Sequence, residues 1–137
     1  RFVHNSETAR RAGTASTGSA VRGYSSTPGV GVRAVSIRGG DRTPAELVAG
    51  IDDGVLVQGV SGLHSGVNPV SGDFSTGAEG LRIRGGELAE PIREFTIAST
   101  IQKMLTDLVA IGDDVQWLPM RAAGVTLVFG ELTVSGV

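Results

Sequence analysis

Glycine fills 21 of the 137 positions, about twice the roughly 7% share usual in soluble proteins. Interior glycine costs a helix about 1 kcal/mol relative to alanine. A core of long uninterrupted helices is therefore a poor fit, and short strands joined by tight turns suit this chain. Apolar residues supply 40% of the sequence and charged residues 19%. That is enough to bury a core and too little charge density for an extended, self-repelling polymer. The length fits one domain better than two.

The formal net charge of −2 hides an asymmetry. Residues 1–50 carry seven arginines against three acids, and residues 51–137 carry five basic residues against eleven acids. The arginines are separated by Gly, Ser and Thr, without the dense clustering and interleaved aromatics of a nucleic-acid surface. No direct nucleic-acid contact is expected; the two charge fields are read as attracting each other or a partner. The sequence has no cysteine, so these residues hold neither a disulfide nor a thiolate-ligated metal. No apolar run reaches the 18 or so residues needed to cross a bilayer, and no signal segment opens the chain. The expectation is a cytoplasmic protein away from membranes. The start at Arg1 in place of methionine suggests a piece of a longer protein.

Along the chain, residues 1–29 mix small polar residues and glycine without a sustained period, and read as an arm or irregular segment. Residues 30–137 read as a compact, strand-rich core within a single domain, 1–137. Alternation from Val30 to Ile37 predicts a strand ended by Gly39 and Gly40. Thr43-Pro44-Ala45-Glu46 is a capping box with proline at the first helical position, predicting a helix over 44–53 with Leu47, Val48 and Ile51 on its apolar face. A buried strand follows from Val55 toward Val60. Leu81 to Arg84, Gly85-Gly86 and Leu88 to Ile92 predict a hairpin, with Arg82 and Arg84 solvated and paired to Glu87 or the acids beyond it. A second helix is predicted over 100–110, capped by Ser99 and Gln102, with Ile101, Met104, Leu105, Leu108 and Val109 as its stripe. Residues 125–129 and 132–134 read as a final strand pair. This order lacks the regular alternation of a doubly wound fold. It points to an α+β class: mostly antiparallel strands with two helices.

The segment from Ser61 to Ser75 is the least ordinary, gathering His64, Asn68-Pro69, Gly72-Asp73 and several serines without helical periodicity. His4, His64 and Asp73 would form a two-histidine, one-carboxylate metal set only if the fold brought them together; a structural role for the histidines is the simpler expectation. A serine hydrolase would need a nucleophile elbow that is absent. The glycines around Asp73 lack the lysine of a phosphate loop. The remaining alternatives for His64, Asn68, Ser71 and Asp73 are a functional or interface loop and a turn whose Asn and Asp cap their own backbone.

The run HSGVNPVSGDFSTGAEG from His64 to Gly80, the following IRGGELAEPIREFTIAS, the AIGDD near Ala110, and the upstream TARRAGTASTGSA from Thr8 to Ala20 together resemble the C-terminal region of the TldD/PmbA family, known also as modulators of DNA gyrase. The His64-Ser65-Gly66 triplet is similar to the PmbA, or TldE, side of that family. The resemblance implies the C-terminal domain of a larger protein in an intracellular zinc metallopeptidase of two subunits. In the TldD type it implies a metal site from a His-Glu-x-x-x-His helix and a later cysteine. This chain has neither, so no catalytic and no metal-binding residue is assigned to it.

On this resemblance, zinc belongs to a TldD-like partner that hydrolyses a peptide or small protein substrate, and the present chain supports assembly and positions peptide. A homodimer is the other partnership it allows. Arg10 and Arg11 are then candidate contacts to the partner or to a peptide carboxylate, with simple solvation as the plainer reading. The alternative function is a metal-independent peptide-binding or structural interaction module.

Overall fold

The computed structural model describes residues 2–32, 35–119 and 122–136. The chain divides into two compact units, Arg1–Arg38 and Gly39–Val137.

In the first unit, Asn5 caps α1 (Ser6–Arg11) through a capping box with Thr8. The Asn5 side-chain oxygen accepts from Thr8 N at 2.8 Å, and Thr8 Oγ1 accepts from Asn5 N at 3.0 Å. Two of the orphan amides at a helix start are thereby satisfied. The short strands β1 (Ala20–Val21) and β2 (Gly29–Val30) pair antiparallel. The strand expected over 30–37 stops at Val30. Beyond it Val32, Val35 and Ile37 are exposed, and alternation alone makes no strand without a neighbour to take its backbone bonds. Arg33 and Ala34 of that expectation lie outside the described residues.

The second unit is built on an antiparallel four-stranded sheet. Its members are β3 (Asp53–Ser61), β4 (Asp73–Arg84), β5 (Glu87–Thr100) and β10 (Thr133–Ser135), in the order β10-β5-β4-β3. The predicted hairpin is the centre of this sheet and longer than its sequence signal. Gly85 and Gly86 take φ of 54° and 80°, the two positive values a primed two-residue turn requires, and Arg84 pairs with Glu87. Phe95, fully buried, joins Ala78 and Ile97 in the core, with Val55, Phe74, Ile92 and Val134 packed against them. Burying a side chain of that size stabilises by about 1.5–3 kcal/mol.

Around the sheet lie α2 (Pro44–Ala49), α3 (Leu63–Gly66) and α4 (Ile101–Thr106), and two ribbons, β6 (Leu108–Ile111) with β9 (Leu127–Phe129) and β7 (Gln116–Leu118) with β8 (Ala122–Gly124). The chain is α+β and mostly antiparallel, with four short helices among the described residues.

Several expectations are corrected. The first of the two predicted helices, α2, carries the predicted Thr43/Glu46 capping box but ends at Ala49, capped by Gly50. The second ends at Thr106, where the Thr106 hydroxyl donates back to the Lys103 carbonyl at 2.8 Å. Residues 108–111 leave the helix to pair with β9. Its cap is Thr100, whose side chain accepts from Lys103 N, and not Ser99. The two last strands do not pair with each other: β9 joins β6 and β10 joins β5. Arg84 meets Glu90 at 2.6 Å, as an acid beyond Glu87, but Arg82 crosses to Asp53 on β3 at 2.7 Å.

Candidate functional site

The segment between β3 and β4 is held by its own polar groups. Gly62 enters at φ 77° and its carbonyl accepts from Ser65 N and Gly66 N, which closes α3. Asn68 organises the turn after it. Its side-chain oxygen accepts from Val70 N at 2.9 Å and Ser71 N at 3.3 Å, its backbone N–H donates to the Asp73 carbonyl at 2.8 Å, and its backbone carbonyl accepts from Gly72 N at 2.8 Å. An Asn in this position replaces a turn of backbone by a side chain. The Ser71 hydroxyl donates to Asp73 Oδ2 at 2.6 Å.

Thus Asn68, Ser71 and Asp73 form one network, all with exposed side chains. His64 sits on α3, exposed, and makes no side-chain hydrogen bond to that network among the described residues. Arg10 and Arg11 lie in the last turn of α1, exposed; Arg11 pairs with Glu7 one turn earlier. His4 belongs to the first unit and is half-buried, its carbonyl accepting from Thr17 N and Ser19 N.

Two partners of the loop escape sequence reasoning. Gln102, expected as a capping partner for Ser99, instead donates from Nε2 to the Ser71 carbonyl at 3.0 Å, and Ile101 N donates to the Gly72 carbonyl at 2.9 Å. The start of α4 therefore holds the loop. Only the Gly72-Asp73 turn hinted at a close approach: Gly72 has φ 81°, and a side chain there would run into the Gln102 carboxamide. Gly66 is equally constrained, since a Cβ would strike the Ser75 carbonyl.

The second feature is an apolar cavity of about 540 Å³ in the second unit. Leu47 and Ile51, the stretch Val55 to Val57 on β3, and Leu127 on β9 contribute to its walls. Its polar wall includes Asp114 and Thr126. Asp114 accepts from the Thr126 hydroxyl at 2.8 Å and from Thr126 N at 3.1 Å. These two bonds, the hydroxyl first, hold the Asp114 carboxyl below the usual carboxylate range. The cavity falls within the 300–1,000 Å³ or so of small-ligand sites.

Zinc needs three or four nitrogen, sulfur or carboxylate ligands converging on one point. Among the described residues no three His, Cys, Asp or Glu side chains do so. The two histidines fall in different units, and the sequence offers no cysteine. The donor set of these residues does not fit a zinc site.

Comparison with known proteins places this architecture. The profile of the PmbA/TldA metallopeptidase C-terminal domain matches residues 1–136. The chain belongs to this family. The metalloprotease PmbA of Escherichia coli O157:H7 is 30% identical over 136 residues, covering 99% of this chain and 28% of that protein. The metalloprotease PmbA homolog of Haemophilus influenzae is 36% identical over 90 residues, 66% of this chain and 19% of that protein.

Among solved structures, TldE from Thermococcus kodakarensis superposes with a TM-score of 0.74 at 29% identity, over 98% of this chain and 31% of that one. A Thermotoga maritima protein described as a candidate modulator of a DNA gyrase gives 0.79 at 30% identity, over 98% and 30%. The family resemblance thus lies on the PmbA/TldE side, and the chain spans between 19% and 31% of the length of these relatives. No helix among the described residues is long and apolar enough to cross a membrane.

Proposed function

We propose that this chain is the noncatalytic, PmbA/TldE-type portion of an intracellular two-subunit metallopeptidase, supporting assembly and positioning peptide while a TldD-like partner holds zinc and cleaves the peptide bond. Residues 1–137 act as its C-terminal domain, with residues 1–29 as an arm. The observation that supports this reading is the family match over residues 1–136 together with the likeness to TldE from Thermococcus kodakarensis at a TM-score of 0.74.

His64, Asn68, Ser71 and Asp73 form the surface assigned to peptide or partner. The loop offers a carboxylate, a hydroxyl and an imidazole on a backbone pinned by Asn68 and Gln102, so it can present hydrogen-bonding groups without first paying to order itself. Arg10 and Arg11 supply guanidinium groups suited to a carboxylate.

The test uses the full-length protein containing these residues, alone and mixed with its TldD-like counterpart, with peptide hydrolysis and zinc stoichiometry measured on the same samples. Hydrolysis and zinc that depend on the counterpart support the reading. Zinc-dependent hydrolysis by the full-length protein alone overturns it.

A further inference from the structure

We propose that the apolar cavity of the second unit is a small-molecule site for a primary amine on an apolar body of about six to ten carbons, with the ammonium group at Asp114; this goes beyond the subunit reading and does not depend on it. The cavity measures about 540 Å³. Protein interiors are close-packed and leave few voids larger than a water molecule. The wall residues are mostly Leu, Ile, Val and Phe, so the space is not one that small side chains left unfilled. It lies between elements: Ile83 and Ile97 of the sheet, Leu47 of α2 and Leu127 of β9 line it. β7 contributes by strand alternation, with Gln116 and Leu118 on the cavity wall and Trp117 between them 75% exposed.

The lining is graded from apolar to charged. Leu47, Ile83 and Ile97 are buried and form an apolar inner wall. Asp114 and Gln116 are exposed and form a rim in contact with water. Asp114 is the only ionisable side chain among the described residues that line the space.

Each Asp114 oxygen accepts one bond from Thr126, and a carboxylate has about four acceptor sites. Room remains for an ammonium group, which brings three donors and no acceptor. The Thr126 bonds also favour the ionised carboxyl, holding it below the usual carboxylate range. An anion at this rim is repelled, and a neutral hydroxyl forgoes the charge-assisted bond. An apolar chamber with an anionic rim thus selects a cationic head on an apolar tail: burial of the tail supplies affinity, and the head fixes orientation.

The test uses the full-length protein containing these residues, without counterpart or zinc, in calorimetric titrations with octylamine, hexylamine, 1-octanol and octanoate. Octylamine should bind about fivefold more tightly than 1-octanol, as an ion pair at a solvated rim allows, and more tightly still than octanoate. Shortening to hexylamine should weaken binding tenfold or more, at about fourfold for each methylene. Octylamine should also shift the methyl resonance of Met104, which lines the cavity. Asp114→Asn keeps an acceptor for Thr126 and should bring octylamine down to the affinity of 1-octanol, leaving the alcohol unchanged. Leu127→Trp, which occupies the space, should weaken both; where that variant does not fold, Asp114→Asn and the chain-length series still decide. Equal binding of octylamine and 1-octanol, no effect of shortening, undiminished octylamine affinity in either folded variant, or no binding at all, as when the rest of the protein fills the cavity, would each overturn the inference. The subunit reading stands or falls separately, on hydrolysis and zinc.

Discussion

Gln102 reaches across 31 positions of sequence to donate its side-chain amide to the Ser71 carbonyl at 3.0 Å, fastening the first turn of α4 to the loop that precedes β4. The side chain is exposed, so the bond competes with water and its net contribution is about 0.5–1.5 kcal/mol. Gln102→Ala should lower unfolding free energy by about that amount in urea denaturation. Gly72→Ala should cost more, because φ 81° disfavours any Cβ and the new methyl meets the Gln102 carboxamide. The double variant should recover part of the steric loss and none of the backbone strain. A strictly additive pair would show that the two residues do not touch in solution.

The N-terminus of α2 carries a pH dependence. Glu46 accepts from Thr43 N at 2.8 Å and from the Thr43 hydroxyl at 2.9 Å. The backbone bond first, and the hydroxyl second, pull its pKa below the usual value. A carboxylate with a depressed folded pKa contributes stability that is fully present above its unfolded pKa and is lost as pH falls through the folded one. Amide protection over 44–49 should therefore fall on acidification through that window, and Glu46→Gln should flatten the dependence. A pH profile identical in wild type and variant would remove Glu46 as its source.

The same two residues show why part of the fold is legible in the sequence. Thr43 and Glu46 are three apart, so their bond is decided locally and can be read from spacing; so can the Gly85-Gly86 turn, which needs only positive φ at two adjacent positions. Leu108 and Val109 read as helix because their spacing from Leu105 fits an apolar stripe. They also fit a strand, and the choice is made by β9, some twenty positions away. Short apolar runs carry no information about which distant strand will pair with them. The site divides along the same line. Asn68 as a cap of its own loop is evident from the sequence, whereas the bond from Gln102 to Ser71 depends on where α4 begins.

Tight contact between β3 and β4 yields a stability prediction. A Cβ at Gly80 would overlap the Leu56 carbonyl, which is backbone and has nowhere to move without parting the strands. Gly80→Ala should destabilise by roughly 1–3 kcal/mol, the cost of overpacking, or more if the pairing is lost. Phe95→Ala, which empties the fully buried centre of the core, should cost about 3–5 kcal/mol. Urea unfolding of both variants measures the order, and a neutral Gly80→Ala would contradict the observed register of Val57 on Gly80.

The loop's structural role and the functional role proposed for it are separable by substitution because its members act through different atoms. Asn68 uses its side-chain oxygen to hold Val70 N and Ser71 N; Asn68→Ala leaves both amides to water and should cost about 1 kcal/mol of stability. His64 makes no side-chain hydrogen bond among the described residues, so His64→Ala should leave the unfolding free energy within about 0.5 kcal/mol of wild type. If the loop faces peptide or partner, that same substitution should lower hydrolysis by the mixture with a TldD-like counterpart severalfold, with no change in folding. Asp73→Asn keeps an acceptor for the Ser71 hydroxyl, now 2.6 Å from Oδ2, while removing the charge; it should act in the same direction. Full hydrolysis by the mixture with both His64→Ala and Asp73→Asn would leave Asn68 with a turn to cap and the loop without a functional part.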